Sequence, residues 1–274
     1  MFGTLALAIV GSASLLHAGQ SRIVRKHSPI EVLRDANGDP LRTIDGKYVS
    51  RNWSGYVLPR FQTKNFYTAA QVTWTVPAVT FHGAEAFSSS WIGIGGFCAN
   101  KKCTQVDETL IQLGTEQDAV SPTESDYFAW YELLPDFAIP TALTVSPGDV
   151  ITASLSCSGD CSTGQWTLSM TNETTSGNWS MPFTYASPNL SVEVIEEAPT
   201  GGSGILPLAN FGKATFSSTT AQSMSLDLSK GDSIVLEDKH HKTESSNVSR
   251  PDSTKDGFNA CFSSSSHLAK CAKP

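Results

Sequence analysis

Acid–base chemistry in this chain has few places to sit. Four glutamates fall in two short apolar stretches, Ala129-Trp-Tyr-Glu-Leu-Leu-Pro135 and Glu193-Val-Ile-Glu-Glu-Ala-Pro199. If both stretches are strands, side chains alternate between faces. Phe128, Trp130 and Glu132 then share one face, as do Glu193, Ile195 and Glu197, while Glu196 joins Val192 and Val194 on the other. A carboxylate with an ordinary pKa near ~4.3 is still partly ionised in mild acid and can take a proton from water and return it. Other hydrolytic machinery lacks its motif. The chain has no Gly-x-Ser-x-Gly turn, no His-Glu-x-x-His and no pair of Asp-Thr-Gly or Asp-Ser-Gly segments. His240-His241 lies in a polar stretch and reads as a solvated pair. Gln112, in Leu110-Ile-Gln-Leu-Gly-Thr-Glu-Gln117, is by itself most simply a polar residue on a sheet face.

The elements that would carry these residues are short alternating runs broken by Gly, Pro, Ser and Asn, the pattern of an antiparallel sandwich. Strands are expected at 52–58, 70–76, 88–94, 109–115, 127–133, 142–145, 150–156, 165–172, 181–184, 191–197, 209–217, 234–237 and 258–262. Pro147-Gly148-Asp149 marks a turn. No window keeps a helical apolar period. The polar stretch 239–253 reads as a mobile loop, and no internal repeat is present.

Composition agrees with a secreted β-protein. Of 274 residues 39% are hydrophobic, enough for a core, and only 16% are charged. The first eighteen residues carry no charge and include Leu5-Ala-Leu-Ala-Ile-Val10, too short an apolar run for a membrane span; they read as a signal peptide cleaved near Ala18. Residues 19–51 hold seven Lys and Arg against four acids, a net of +3, and the remainder has twelve bases and twenty-two acids, a net of −10. The acidic body argues against nucleic acid. The basic segment is either a leader held by charge and released as carboxylates protonate, or a disordered linker. The six cysteines form close pairs, 98/103, 157/161 and 261/271, which favour three short disulfide loops; no histidine is spaced to complete a metal site beside them. Sequons begin at Asn52, Asn172, Asn178, Asn189 and Asn247, and Asn52 lies within an expected strand.

Seven segments in order carry a resemblance to a known family: Asn52-Trp-Ser-Gly-Tyr-Val57, Trp74-Thr-Val-Pro77, Ser88-Ser-Ser-Trp-Ile-Gly-Ile-Gly-Gly96, the blocks around Gln112 and Glu132, Pro147-Gly-Asp149, and Glu193 to Pro199. Over residues 50–262 the chain resembles the glutamic peptidases, or eqolisins. The resemblance implies an all-β fold, a two-sheet antiparallel β-sandwich of lectin-like type at 51–274, made with a propeptide at 19–50 behind the signal peptide at 1–18. It implies an acid endopeptidase without cofactor or metal, secreted, with polypeptide substrates, no nucleic-acid or membrane partner, and a monomer. The family's catalytic glutamine falls on Gln112. Its catalytic glutamate, aligned on the following Ala-Pro, falls on Glu197. The glutamate would activate water; the amide would donate to the developing oxyanion and, unlike imidazole, would not titrate in acid. Trp53 and Glu132 match positions that line the family's substrate cleft, and alternation puts Trp130 on the face of Glu132; Trp91 and Glu116 sit in matching blocks, Trp91 as a cleft or a core residue and Glu116 as a substrate-binding or a surface residue. Gly95 stands where better-known fungal members have aspartate, so that residue's role does not carry over. A secreted carbohydrate-binding module with tryptophan platforms, or a sandwich glycosidase using Glu132 and Glu197, are the alternatives.

Overall fold

The computed structural model describes residues 24–161, 164–237, 244–265, 268 and 270–274. The expected signal peptide and His240-His241 lie outside the described residues. The strands are β1 (Tyr48–Ser50), β2 (Trp53–Pro59), β3 (Ala69–Thr75), β4 (Ala86–Gly95), β5 (Leu110–Ser121), β6 (Glu124–Leu133), β7 (Ile139–Pro140), β8 (Val150–Ser158) and β9 (Gln165–Asn172). They continue with β10 (Gly177–Thr184), β11 (Ser191–Glu197), β12 (Thr200–Gly201), β13 (Gly204–Ile205), β14 (Lys213–Ala221), β15 (Met224–Ser225), β16 (Asp232–Glu237), β17 (Ser245–Val248) and β18 (Phe258–Ser263). The one α-helix among the described residues is the single turn α1 (Arg60–Thr63).

Sixteen strands join in one hydrogen-bonded sheet, fourteen of them along the path β10-β9-β8-β3-β14-β18-β17-β16-β2-β11-β4-β5-β6-β7, with β1 paired to β16 and β15 to β14 beside it. Folded back on itself through β17 and β18, the path makes the two layers of an antiparallel β-sandwich. The expected fold class is therefore the observed one.

The two layers differ in burial. Strands β3, β9 and β14 alternate buried and more exposed residues, as an outer sheet with one wet face must. Strands β2 and β11 are buried at every position, and β4 and β5 almost throughout. One face of this inner sheet packs Ile92, Ile94, Ile111, Leu113, Val192 and Val194 against Trp74, Trp166 and Phe216 of the outer sheet. The other face has its own apolar group of Trp53, Trp91, Trp130, Leu110 and Ile195. It stays dry because residues 24–50 lie across it and bury Ile30 and Tyr48 there. β1 runs parallel to β16, pairing Val49 with Val235.

Besides short strands that the sequence did not announce and an earlier start to β10, three departures from the sequence expectations have a plain physical reason. Residues 142–145 form no strand, although Leu143 and Val145 are buried; alternation gave the burial, but the Thr144 carbonyl accepts from the Asn172 side chain instead of a neighbouring strand. The strand expected from Ala209 begins at Lys213, after Gly212 turns the chain at φ +61°. The polar stretch at 239–253 contains β17, whose Ser245 and Ser246 are fully buried. Their hydroxyls find partners inside, as in Ser54 Oγ to Ser246 Oγ at 2.7 Å, so a serine-rich strand can be interior. The three cysteine pairs are disulfides, 98–103, 157–161 and 261–271.

Candidate active site

The inner sheet brings the chemistry-bearing residues together by register. Glu197 on β11 lies opposite Ser89 on β4, Ser89 opposite Glu116 on β5, and Glu116 opposite Phe128 on β6. Two pleat repeats away, Glu193, Gly93, Gln112 and Glu132 form a second such row. Residues an even number apart on a strand share a face, so Gln112, Glu116, Glu132 and Glu197 all project onto the concave side. Trp91 stands between the two rows.

Glycines make this crowding possible. A Cβ on Gly114 would meet the Ser90 carbonyl oxygen and Trp91 Cβ at 2.5 Å, and one on Gly93 would meet Leu110 at 2.9 Å and Gln112 Cβ at 3.2 Å. Gly95 has φ +101°, and a Cβ there would fall 2.2 Å from the Thr109 carbonyl oxygen. An aspartate at this position would therefore be strained in this chain.

Polypeptide fills the groove. Lys26 and Thr200 exchange backbone hydrogen bonds of 2.9 and 2.8 Å, and Ile30 N donates to Gly96 O at 3.0 Å, so the segment between is stretched across the sheet. Gln112 Nε2 donates to His27 O at 2.7 Å and to Glu132 Oε2 at 2.9 Å. Trp53 Nε1 donates to Ser28 O at 3.1 Å. The Asn52 amide nitrogen lies 3.3 Å from Ser28 O, 3.1 Å from Pro29 O and 3.4 Å from Glu197 Oε1. Trp91 Nε1 donates to Glu197 Oε2 at 2.7 Å.

The side chains of residues 25 and 27 enter an acidic trough. His27 stacks on Trp130 with ring centroids 3.6 Å apart. Its backbone N–H donates to Glu132 Oε2 at 2.8 Å, and its ring nitrogens lie 3.2 Å from Glu132 and 3.1 Å from Glu116. Arg25 reaches Glu116 at 3.4 Å and Asp118 at 2.7 Å, under Phe87 and Phe128. Of the seven residues singled out from sequence, Gln112, Trp53, Trp130, Glu132 and Glu116 touch this segment, and Trp91 touches the carboxyl of the seventh, Glu197. Sequence reasoning missed His27, Asp118 and Asn52. Alternation onward from Glu116 would have reached Asp118. Asn52 stands in an expected strand, as a sequon and at the head of the first family-like segment, but nothing in those readings gives it a role at the site, and nothing local ties His27 to the sheet.

Burial dominates the titration of the trough. It raises Glu197 well above the ordinary value, Glu132's charge adds to the rise, and the Trp91 hydrogen bond opposes it. Burial raises Glu132 against the pull of His27. It carries Glu116 up to about 7 despite Arg25, and lifts Asp118 with help from Glu116's charge. His27 is lowered by burial, with Glu132 opposing. Burial thus pushes the carboxyls and the imidazole of the cluster toward their neutral forms. Glu196, on the opposite face, accepts from Ser90 Oγ at 2.5 Å and is raised by burial to about 8. No group of three or more His, Cys, Asp or Glu able to hold a metal occurs among the described residues.

Comparison with known proteins is consistent with this arrangement. The peptidase A4 family model matches residues 51–255. Aspergillopepsin-2 of Aspergillus niger is 25% identical over 260 residues, covering 86% of this chain and 88% of that protein. Scytalido-glutamic peptidase, solved with a transition state analog inhibitor, superposes with a TM-score of 0.60 at 22% identity, over 77% of this chain and 98% of that one. SCP-B, described as a member of the eqolisin family and solved with the tripeptide Ala-Ile-His, gives 0.57 at 19% over the same shares. At such identities the solved structures speak to the fold, and the family match speaks to the class. The chain belongs to the peptidase A4 family, the glutamic peptidases or eqolisins, and is an endopeptidase of that class.

Proposed function

We propose that this enzyme is a secreted, acid-acting endopeptidase in which Glu197 activates water and Gln112 stabilises the oxyanion. The observation that carries the reading is the 2.7 Å hydrogen bond from the Gln112 amide to a backbone carbonyl in the groove, with the Glu197 carboxyl one Asn52 amide away from the next carbonyl. Glu197, once solvated and ionised, takes a proton from water; hydroxide adds to the carbonyl carbon; the Gln112 N–H holds the oxygen as charge gathers on it. Glu197 then returns the proton to the leaving nitrogen. Trp53, Trp91 and Asn52 hold the acid and the strand of substrate, and Trp130, Glu132 and Glu116 line the adjoining trough.

Residues 19–50 act as a propeptide in this reading. The part from 24 onward occupies the groove with Arg25 and His27 in acid-lined pockets, which supports an inactive precursor at neutral pH. Three disulfides and the absence of a long apolar helix among the described residues are compatible with secretion, and the enzyme is expected to act as a monomer. The test is digestion of casein from strongly acid to mildly alkaline pH by the enzyme and its Gln112→Ala variant. Activity confined to acid, indifferent to pepstatin and reduced ~10²–10³-fold in the variant is expected. A variant as active as its parent removes Gln112 from the mechanism.

A further inference from the structure

Residues 25–30 lie in the groove as a substrate would. His27 O accepts from Gln112 Nε2, and Ser28 O, the next carbonyl, lies against Trp53 Nε1 and the Asn52 amide nitrogen that also approaches Glu197. The peptide unit between those carbonyls lies between the Gln112 amide and the Asn52 amide, and Asn52 in turn approaches the Glu197 carboxyl. The backbone is pinned on both sides of it, by Lys26 with Thr200 and by Ile30 with Gly96. Asn52 holds Pro29 O as well. The following bond, Ser28–Pro29, has its carbonyl away from Gln112 and an imide nitrogen as its leaving group.

We propose that the His27–Ser28 bond is a self-processing site, cut in cis by the enzyme that carries it. The proposal rests on the assignment of Gln112 and Glu197 as the catalytic pair. Water admitted as the segment loosens gives a proton to Glu197, and its oxygen bonds to the His27 carbonyl carbon. The carbon–nitrogen bond to Ser28 then breaks as Glu197 passes the proton to the Ser28 nitrogen. One water is consumed, leaving a carboxyl group on His27 and an amino group on Ser28. The piece ending at His27 loses its covalent tether and leaves the trough. The piece beginning at Ser28 stays attached through β1 but can swing clear of Gln112.

The experiment follows the N-termini of the secreted full chain by mass spectrometry after acidification, at several protein concentrations, beside Glu197→Gln and Gln112→Ala. A new terminus at Ser28, forming at a rate independent of concentration and slowed ~10²-fold or more in Glu197→Gln, is the expected result. The Gln112→Ala arm gives the same reading should Glu197→Gln fail to fold, which circular dichroism reports. An intact His27–Ser28 bond in protein that digests casein overturns the proposal, as does cleavage only at Ser28–Pro29 or near residue 50. So does a Ser28 terminus appearing equally fast in both variants. A rate proportional to concentration overturns the cis route. Casein digestion by the same samples separates the two ideas. Activity lost in both variants without a Ser28 terminus in the parent defeats only the processing site, whereas activity kept in both variants defeats the catalytic assignment beneath it.

Discussion

Glu197 accepts from Trp91 Nε1 on the concave face, while Glu196, its neighbour in sequence, accepts from Ser90 Oγ on the sandwich side. Both are fully buried, and both are pushed toward the neutral form by burial. Only their direction distinguishes them, and that direction follows from the strict two-residue period of β11. Two isosteric substitutions make the distinction measurable. Glu197→Gln is expected to lose peptidase activity while keeping the parent's circular dichroism spectrum. Glu196→Gln is expected to keep activity close to the parent's and to melt higher at neutral pH, since it removes a buried group that must hold a proton there which the unfolded chain would release. Substantial turnover by Glu197→Gln would displace that residue from the mechanism; loss of activity in Glu196→Gln would mean the strand register is misassigned.

Among the elements, β4 and β5 do most to place Gln112. Their register puts Gly93 beside it, and a methyl group on Gly93 would press on Leu110, Trp91 and Gln112 Cβ at 2.9 to 3.2 Å. Misplacing a reacting group by ~1 Å can cost ~10²-fold in rate. Displacements of a few tenths of an ångström in Gly93→Ala should therefore lower kcat by about 10-fold. The melting temperature should move less than the rate does. An unchanged kcat would show that the position of Gln112 is not under tight constraint. Gly95 ends the same strand with a backbone conformation that side chains resist. Gly95→Asp, which restores the fungal residue, is expected to cost ~1–3 kcal/mol of stability from backbone strain, read as a lowered melting temperature. A neutral outcome would mean the Thr109 carbonyl can yield.

At the scale of the whole molecule, the inner sheet buries six carboxyls whose shifts have one sign. Glu116, Asp118, Glu132, Glu193, Glu196 and Glu197 are all raised, burial being the largest cause in each. A raised carboxyl binds its proton more tightly folded than unfolded. Its contribution is fully present below the ordinary glutamate value of 4.5 and is lost as pH climbs through the folded values, about 7 for Glu116 and about 8 for Glu196. His27 runs the other way. Its pKa is lowered by burial, so its contribution is present above 6.5 and fades as the pH falls below that. One imidazole set against these six carboxyls, with Asp107 and Asp232 raised as well and only Asp45 and Asp227 lowered among the described carboxyls, leaves a protein that should melt at a higher temperature near ~pH 4 than near ~pH 8. Calorimetry across that range checks it, and a melting temperature that rises toward pH 8 would contradict the shared sign. The same opposition makes His27 the group in the docked segment that resists acid, the condition in which the trough carboxyls become neutral.

The sequence by itself determined the fold class, most strand positions and the identity of the catalytic candidates. Those properties are local: two-residue alternation, turn residues, paired cysteines, and a run of family segments in fixed order. It also hinted at the groove's occupant through the charge contrast between residues 19–51 and the rest, but it could not say where that segment lies. Tertiary structure alone decided that His27 stacks on Trp130 between Glu116 and Glu132, about a hundred residues away. Asn52 likewise meets Glu197 only because β2 and β11 are neighbours. β17 escaped detection because a serine-rich strand has no apolar period, and its burial depends on partners supplied by β2, β16 and β18. Alternation fixes which face a side chain takes; which strands lie side by side, and what covers them, is settled only when the sheet closes on itself.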